Sequence, residues 1–189
     1  MDLTTITPTP AMLRALAHPV RLRMLGLLRI DGPATATTLA TRLGLNSGAT
    51  SYHLRQLAQH GFVVEDTERG NGRDRWWRAA HRSTHAEEPD PADREAQETL
   101  DAYLQAVVTV YTERLQRAVE ELPLLPQEWR KSVTFSDWLV RLSPGKARAV
   151  TEALAEIAAA AEDEDTEDAV DFVLQISAFP QPGRLGGEE

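Results

Sequence analysis

The chain has 189 residues, 42% of them hydrophobic, no cysteine and a formal net charge of −9. That length suits one domain with an extension or two small ones, and no apolar run is long enough to span a membrane. Without cysteine there are no disulfides and no thiolate metal ligands, and with no basic-then-apolar leader the chain is expected in a cytoplasm, a bacterial one by its Ala- and Arg-rich composition.

The average charge hides a division. Residues 1–82 hold 11 Arg against 6 acids, whereas 83–189 hold 9 basic and 23 acidic side chains. A basic N-terminal part can approach phosphates while the acidic remainder is repelled from them.

In chain order, Thr9-Pro10 starts a short helix with Met12, Leu13 and Leu16 apolar, and His18-Pro19 starts a second with Val20, Met24, Leu27 and Leu28 at helical spacing. Asp31-Gly32-Pro33 breaks it. Thr35 caps a third helix striped by Ala36, Leu39, Ala40 and Leu43, and Gly44 supplies its C-terminal turn. Asn46 or Ser47 caps a fourth helix, 47–60, which Gly61 ends. Phe62–Glu65 and Arg75–Arg78 read as strands of a hairpin whose turn holds Arg69, Gly70, Asn71, Gly72 and Arg73. Adjacent strand residues face opposite ways, so one of Trp76 and Trp77 packs inward and the other outward.

A polar, proline-containing linker is expected at 83–91, dividing a domain at 8–82 from one at 92–182. The second begins with a long helix, 92–122, in which Leu100, Leu104, Val107, Val108, Tyr111 and Leu115 approximate a three-four alternation, the pattern of a dimerisation seam. Strands are expected at 133–142 and 170–179, with a helix at 144–161 and an acidic loop between. The fold class is thus α+β, mainly α: a winged helix-turn-helix domain, a long dimerisation helix and a small β-α-β extension.

The fourth helix and the hairpin carry the chemistry. A helix entering the major groove needs small or hydrogen-bonding residues at its leading end, which Ser47, Gly48, Thr50 and Ser51 provide. Tyr52, Arg55 and Gln56 follow within one to two turns. Arg69, Arg73 and Arg75 in the wing, 66–75, suit a minor groove or the phosphate backbone. Taken singly, the helix start also reads as an ordinary cap and the hairpin as a solvated turn; their succession in one segment favours DNA.

The stretches LAHPVRLRMLGLL, ATTLATRLGLNSGATSYHLRQLAQHGFV and RGNGRDRWWRA resemble the ArsR-type winged-helix repressors, over about residues 10–80. The matching positions are His18, Pro19, Arg21, Ser51, His53, Leu54, Gly61, Phe62 and Val63. The resemblance implies a homodimeric transcriptional repressor on a palindromic operator in double-stranded DNA. Metal-sensing members of that family use cysteines on the third helix or Asp/His and His/Glu pairs on the last; this chain has no cysteine, and 92–122 has no histidine. No metal or cofactor is therefore expected, His81 and His85 notwithstanding, and no constellation of catalytic residues is evident.

Two further expectations remain. Tyr103, Tyr111, Trp129, Phe135, Trp138 and Phe172 could line a pocket for a small apolar effector, against the plainer reading of core and dimer interface. The alternative to a DNA regulator is a winged-helix protein-interaction module with an acidic C-terminal domain.

Overall fold

A computed structural model of the chain describes residues 5–69 and 74–184. Gly70, Asn71, Gly72 and Arg73, the expected wing tip, lie outside the described residues. The backbone divides into two compact units, one ending at Leu124 and one starting at Leu125.

The first unit runs β1 (Thr5–Ile6), α1 (Pro10–Leu16), α2 (Pro19–Ile30), β2 (Ala34–Thr35), α3 (Ala36–Leu43), α4 (Ser47–Gln59), β3 (Val63–Glu65), β4 (Trp76–Ala79), β5 (Ser83–Thr84) and α5 (Arg94–Glu121), closed by a 3₁₀ turn at Leu122–Leu124. Each early helix starts on a side chain that accepts one of the N–H groups the helix itself leaves unbonded. Thr9 accepts from Met12 N, His18 Nδ1 from Val20 N, Thr35 from Thr38 N and Asn46 Oδ1 from Ala49 N. Asn46, not Ser47, is thus the cap of α4. Pro at the first position of α1 and α2 costs no hydrogen bond there.

β2, β4 and β3 form an antiparallel sheet in that order, with Ala34 opposite Trp77, Thr35 opposite Trp76 and Val63 opposite Ala79. Of the two tryptophans Trp77 is the inward one, buried with Leu39, Leu54, Leu57, Phe62 and Val63. Leu54, Leu57 and Phe62 have no exposed surface, and each such side chain contributes about 1.5–3 kcal/mol of transfer free energy.

The divide differs from the expected one at 83–91. α5 buries Ala96, Thr99, Leu100, Tyr103, Ala106 and Val110, and Leu100 and Tyr103 belong to the same core cluster as α1, α2 and α4. Nor is 83–91 wholly a linker: β5 pairs in parallel with β1, and Arg29 donates to the His81 carbonyl and to Thr84 Oγ1, both at 2.9 Å. A cation holding two acceptors in that loop is a tertiary constraint that polar composition does not reveal.

The second unit holds α6 (Gln127–Ser132), absent from the sequence reading, and α7 (Pro144–Ala159), capped by Ser143. The strands expected at 133–142 and 170–179 are not formed in the single chain: neither segment has a ladder partner, so the β-α-β extension is replaced by two helices and unpaired backbone. Alternation reports which side chains share a face, but a strand also needs a neighbour for its N–H and C=O groups.

Candidate nucleic-acid interface

α3 and α4 are joined by a tight turn in which Gly44 adopts φ +64°, a left-handed conformation that costs glycine nothing, while its N–H and that of Leu45 close the end of α3. The turn sets α4 across α3, and the buried face of α4, Thr50, Leu54 and Leu57, fixes which residues face outward. Those are Ser47, Gly48, Tyr52 and Arg55, all exposed, with Ser51 and Gln56 half-buried beside them. A Cβ on Gly48 would meet only the Asn46 side chain, at 3.3 Å, so the backbone there is open to a close neighbour.

Thr50 corrects the sequence reading. Its side chain is wholly buried and its hydroxyl donates to the Asn46 carbonyl at 3.1 Å, so it braces the helix start and is not available to DNA. Position 50 falls on the inward stripe with Leu54 and Leu57, four and seven residues on. Its polarity had suggested the outward face.

Between α4 and the hairpin lies a shallow cleft lined by Thr35, Ala36, Thr37, Ser51, Arg55, Asp74, Arg75 and Trp77. It brings together the start of α3, the middle of α4 and the base of the wing. Thr37 was missed from the sequence, although the run Thr35, Thr37, Thr38 just before an apolar stripe was its signal. Arg55 projects from α4 on one side. Arg75 on the other is engaged: its Nε donates to Glu65 at 3.1 Å, and its guanidinium lies 5.7 Å from the centre of the Trp77 ring. Arg69 faces Asp66 at 3.6 Å. Both wing arginines are therefore presented on carboxylates of their own hairpin, and Arg73 lies outside the described residues.

Behind α4 sits a pair of rings. His53 packs against His18 with centroids 4.8 Å apart and against Tyr52 at 5.5 Å, and its Nδ1 is buried without a hydrogen-bond partner. His18 also caps α2, while Arg21 anchors the α1–α2 junction by donating to the carbonyls of Ala15 and Arg14. Burial first, then the charges of Arg21 and Arg23, push the His18 pKa down. Burial, with His18 and Arg21 adding to it, lowers that of His53. The two histidines couple the underside of α4 to the start of α2.

The expected dimerisation residues divide. Leu100 is buried in the chain's own core, and Val107 packs partly against it, because both lie on the α5 face turned to α1 and α2. Leu104, Val108 and Leu115 are exposed, Tyr111 is half-buried, and Val119 extends the outward stripe. The six aromatic residues considered for an effector do not converge: Tyr103 is in the core of the first unit, Trp129 stacks on Phe172 in the second, and Phe135 and Trp138 are exposed. No group of three or more His, Asp or Glu side chains that could hold a metal occurs among the described residues, and no described helix is long and apolar enough to cross a membrane.

Residues 16–66 match the family described as a helix-turn-helix domain. With β4, which follows and pairs with β3, this part of the chain is a winged helix-turn-helix domain. Over 66 residues the chain is 39% identical to the HTH-type transcriptional regulator NmtR of Mycobacterium tuberculosis (strain ATCC 25618 / H37Rv). That match covers 35% of this chain and 54% of NmtR, so the chain spans about half the length of the curated relative it matches. A looser likeness, 15% identical with a TM-score of 0.30, links 74% of the chain to 78% of the adhesin competence repressor AdcR from Streptococcus pyogenes, too distant to bear on the arrangement of this fold.

Proposed function

We propose that the chain is a homodimeric transcriptional repressor that reads a palindromic operator in double-stranded DNA, with α4 in the major groove and the wing, 66–75, on the minor groove or backbone. The observation that carries this is the outward edge of α4. Ser47, Gly48, Tyr52 and Arg55 stand exposed in a row beside a cleft whose far wall is an arginine-bearing hairpin. Small residues at a helix start let its backbone approach base edges, and an arginine about two turns on suits the paired acceptors of guanine. The start of α3, lined by Thr35 and Thr37, is placed for a phosphate, since a helix N-terminus carries unbonded N–H groups and partial positive charge.

Dimerisation through Leu104, Val108, Tyr111 and Leu115 of α5 would set two copies of α4 at half-sites about one helical turn apart. The similarity to NmtR, a bacterial transcriptional regulator by its name, supports the DNA-regulator part of this reading. Selection of bound duplexes from a random library by the purified protein tests the proposal: a recovered inverted repeat, and binding that weakens steeply with salt, are the expected results. Absence of duplex binding at low salt, or binding with no sequence preference, refutes it and leaves a protein-interaction module.

A further inference from the structure

We propose that residues 133–142 and 170–179 form an intermolecular β-ladder, in which 133–142 of one copy pairs antiparallel with 170–179 of a second copy and the two-fold axis generates the same ladder again. The inference rests on the homodimer reading and adds to it a second interface, in the C-terminal unit. Within one chain this unit lacks an interior: no described residue from Leu125 onward is buried. Trp138 and Leu139 are 81% and 85% exposed, and Val140, Phe172, Leu174 and Ile176 are exposed as well. Apolar surface of that extent marks an interface. Trp138, Val140 and Leu142, and Val170, Phe172, Leu174 and Ile176, recur at every second position as in strands, with Leu139 and Val173 added between them, yet neither segment is paired.

The sequence itself identifies the occupant. An antiparallel register that sets Arg141 opposite Asp171 pairs opposite charges across the ladder. The same register places Trp138 opposite Leu174, Val140 opposite Phe172 and Leu142 opposite Val170, all on one face because opposed residues share a face. On the other face it places Asp137 opposite Gln175, whose amide can donate to it, and Leu139 opposite Val173. A slip by one residue would mix the two faces, so the apolar pattern and the charge pair select one register. An unrelated partner would have to match both segments separately; a second copy matches both at once, as a two-fold interface requires. Val150, Leu154 and Ile157 of α7, an exposed stripe at helical spacing, supply a cover for the apolar face.

The native chain has no cysteine, so a designed pair reports without background. Leu139→Cys and Val173→Cys chains are co-expressed, purified and oxidised; opposed Cβ atoms in such a ladder lie about 4.5–5.5 Å apart, near disulfide range. The expected result is a covalent dimer formed at least about tenfold faster than from the off-register pair Leu139→Cys with Ala178→Cys, with circular dichroism showing every variant folded. A chain carrying both Leu139→Cys and Val173→Cys is expected to cross-link between copies; a monomer bridged within itself overturns the exchange. A sedimenting dimer without the 139–173 cross-link overturns the ladder and leaves the α5 seam standing. A monomer at all accessible concentrations overturns both.

Discussion

Truncating Arg55 to alanine separates reading a base from holding a phosphate. The side chain is exposed on the outward face of α4, and alanine is at least as good a helix former, so the folded domain loses within about 0.5 kcal/mol. If Arg55 makes a bidentate contact to a guanine edge, each half-site loses about 1–3 kcal/mol of discrimination, roughly a 5- to 150-fold loss in affinity per half-site. A homodimer carries the change twice, and two well-separated losses add. Fluorescence anisotropy on a selected operator and on a scrambled duplex, each at several salt concentrations, reads the effect. The expected result is a large loss on the operator and a small one on the scrambled duplex. Arg75→Ala is the comparison: already paired with Glu65 and set against the Trp77 ring, it is expected to weaken both duplexes alike and to flatten the salt slope by about 0.9 per protomer. Equal losses for Arg55→Ala on both duplexes, with the same flattening, would assign Arg55 to the backbone and refute the reasoning. No loss on either would remove α4 from the groove.

Three other predictions concern the elements behind that face. Thr50→Val, which keeps the shape of a fully buried side chain but removes its hydroxyl, should lower stability by about 0.5–1.5 kcal/mol in denaturant titration and leave base preference unchanged. An altered operator sequence from an otherwise stable Thr50→Val protein would return Thr50 to the DNA face. Leu104→Glu should weaken self-association in sedimentation with the fold intact, whereas Leu100→Glu should unfold the first unit; the reverse would show that the two faces of α5 have been exchanged. His18 and His53 both have folded-state pKa values below the ordinary 6.5, so between those values the unfolded chain binds more protons than the folded one. Stability should therefore be full above about pH 6.5 and fall as the solution is acidified below it. His53→Phe should reduce that fall, and an unchanged pH profile in thermal melts would show that the histidine pair does not cause it.

The N-terminal elements were legible because their signals are local. Thr9, His18, Thr35 and Asn46 each bond an N–H two or three residues ahead, and Gly44 ends α3 within its own turn. The outward face of α4 was legible apart from one misplaced side chain, and the exception has a physical form. Thr50 is chemically suited to the outer face, but the 3.6-residue period places it above Leu54 and Leu57. Wing arginines were recognised by charge alone, and charge along a sequence does not disclose that Glu65 stands across the hairpin from Arg75 or that Asp66 turns back onto Arg69 three residues on. In α5 the apolar residues run nearly all round the helix, so periodicity could not decide which of Leu100, Leu104, Val107 and Val108 serve the chain's own core.

The remaining mismatch lies in the C-terminal unit, and it follows from what alternation encodes. A period of two between Trp138, Val140 and Leu142, or between Val170, Phe172 and Leu174, states that one face must leave water. It carries no information about which molecule supplies the neighbouring strand. In the first unit the neighbour is close by in the same chain, β3 beside β4, and the pattern is satisfied within one molecule. In the second, Trp138 and Leu139 stay more than four-fifths exposed, so the same pattern is written for a surface that one chain leaves uncovered. An acidic unit of that kind cannot lie on DNA, where its carboxylates would be repelled.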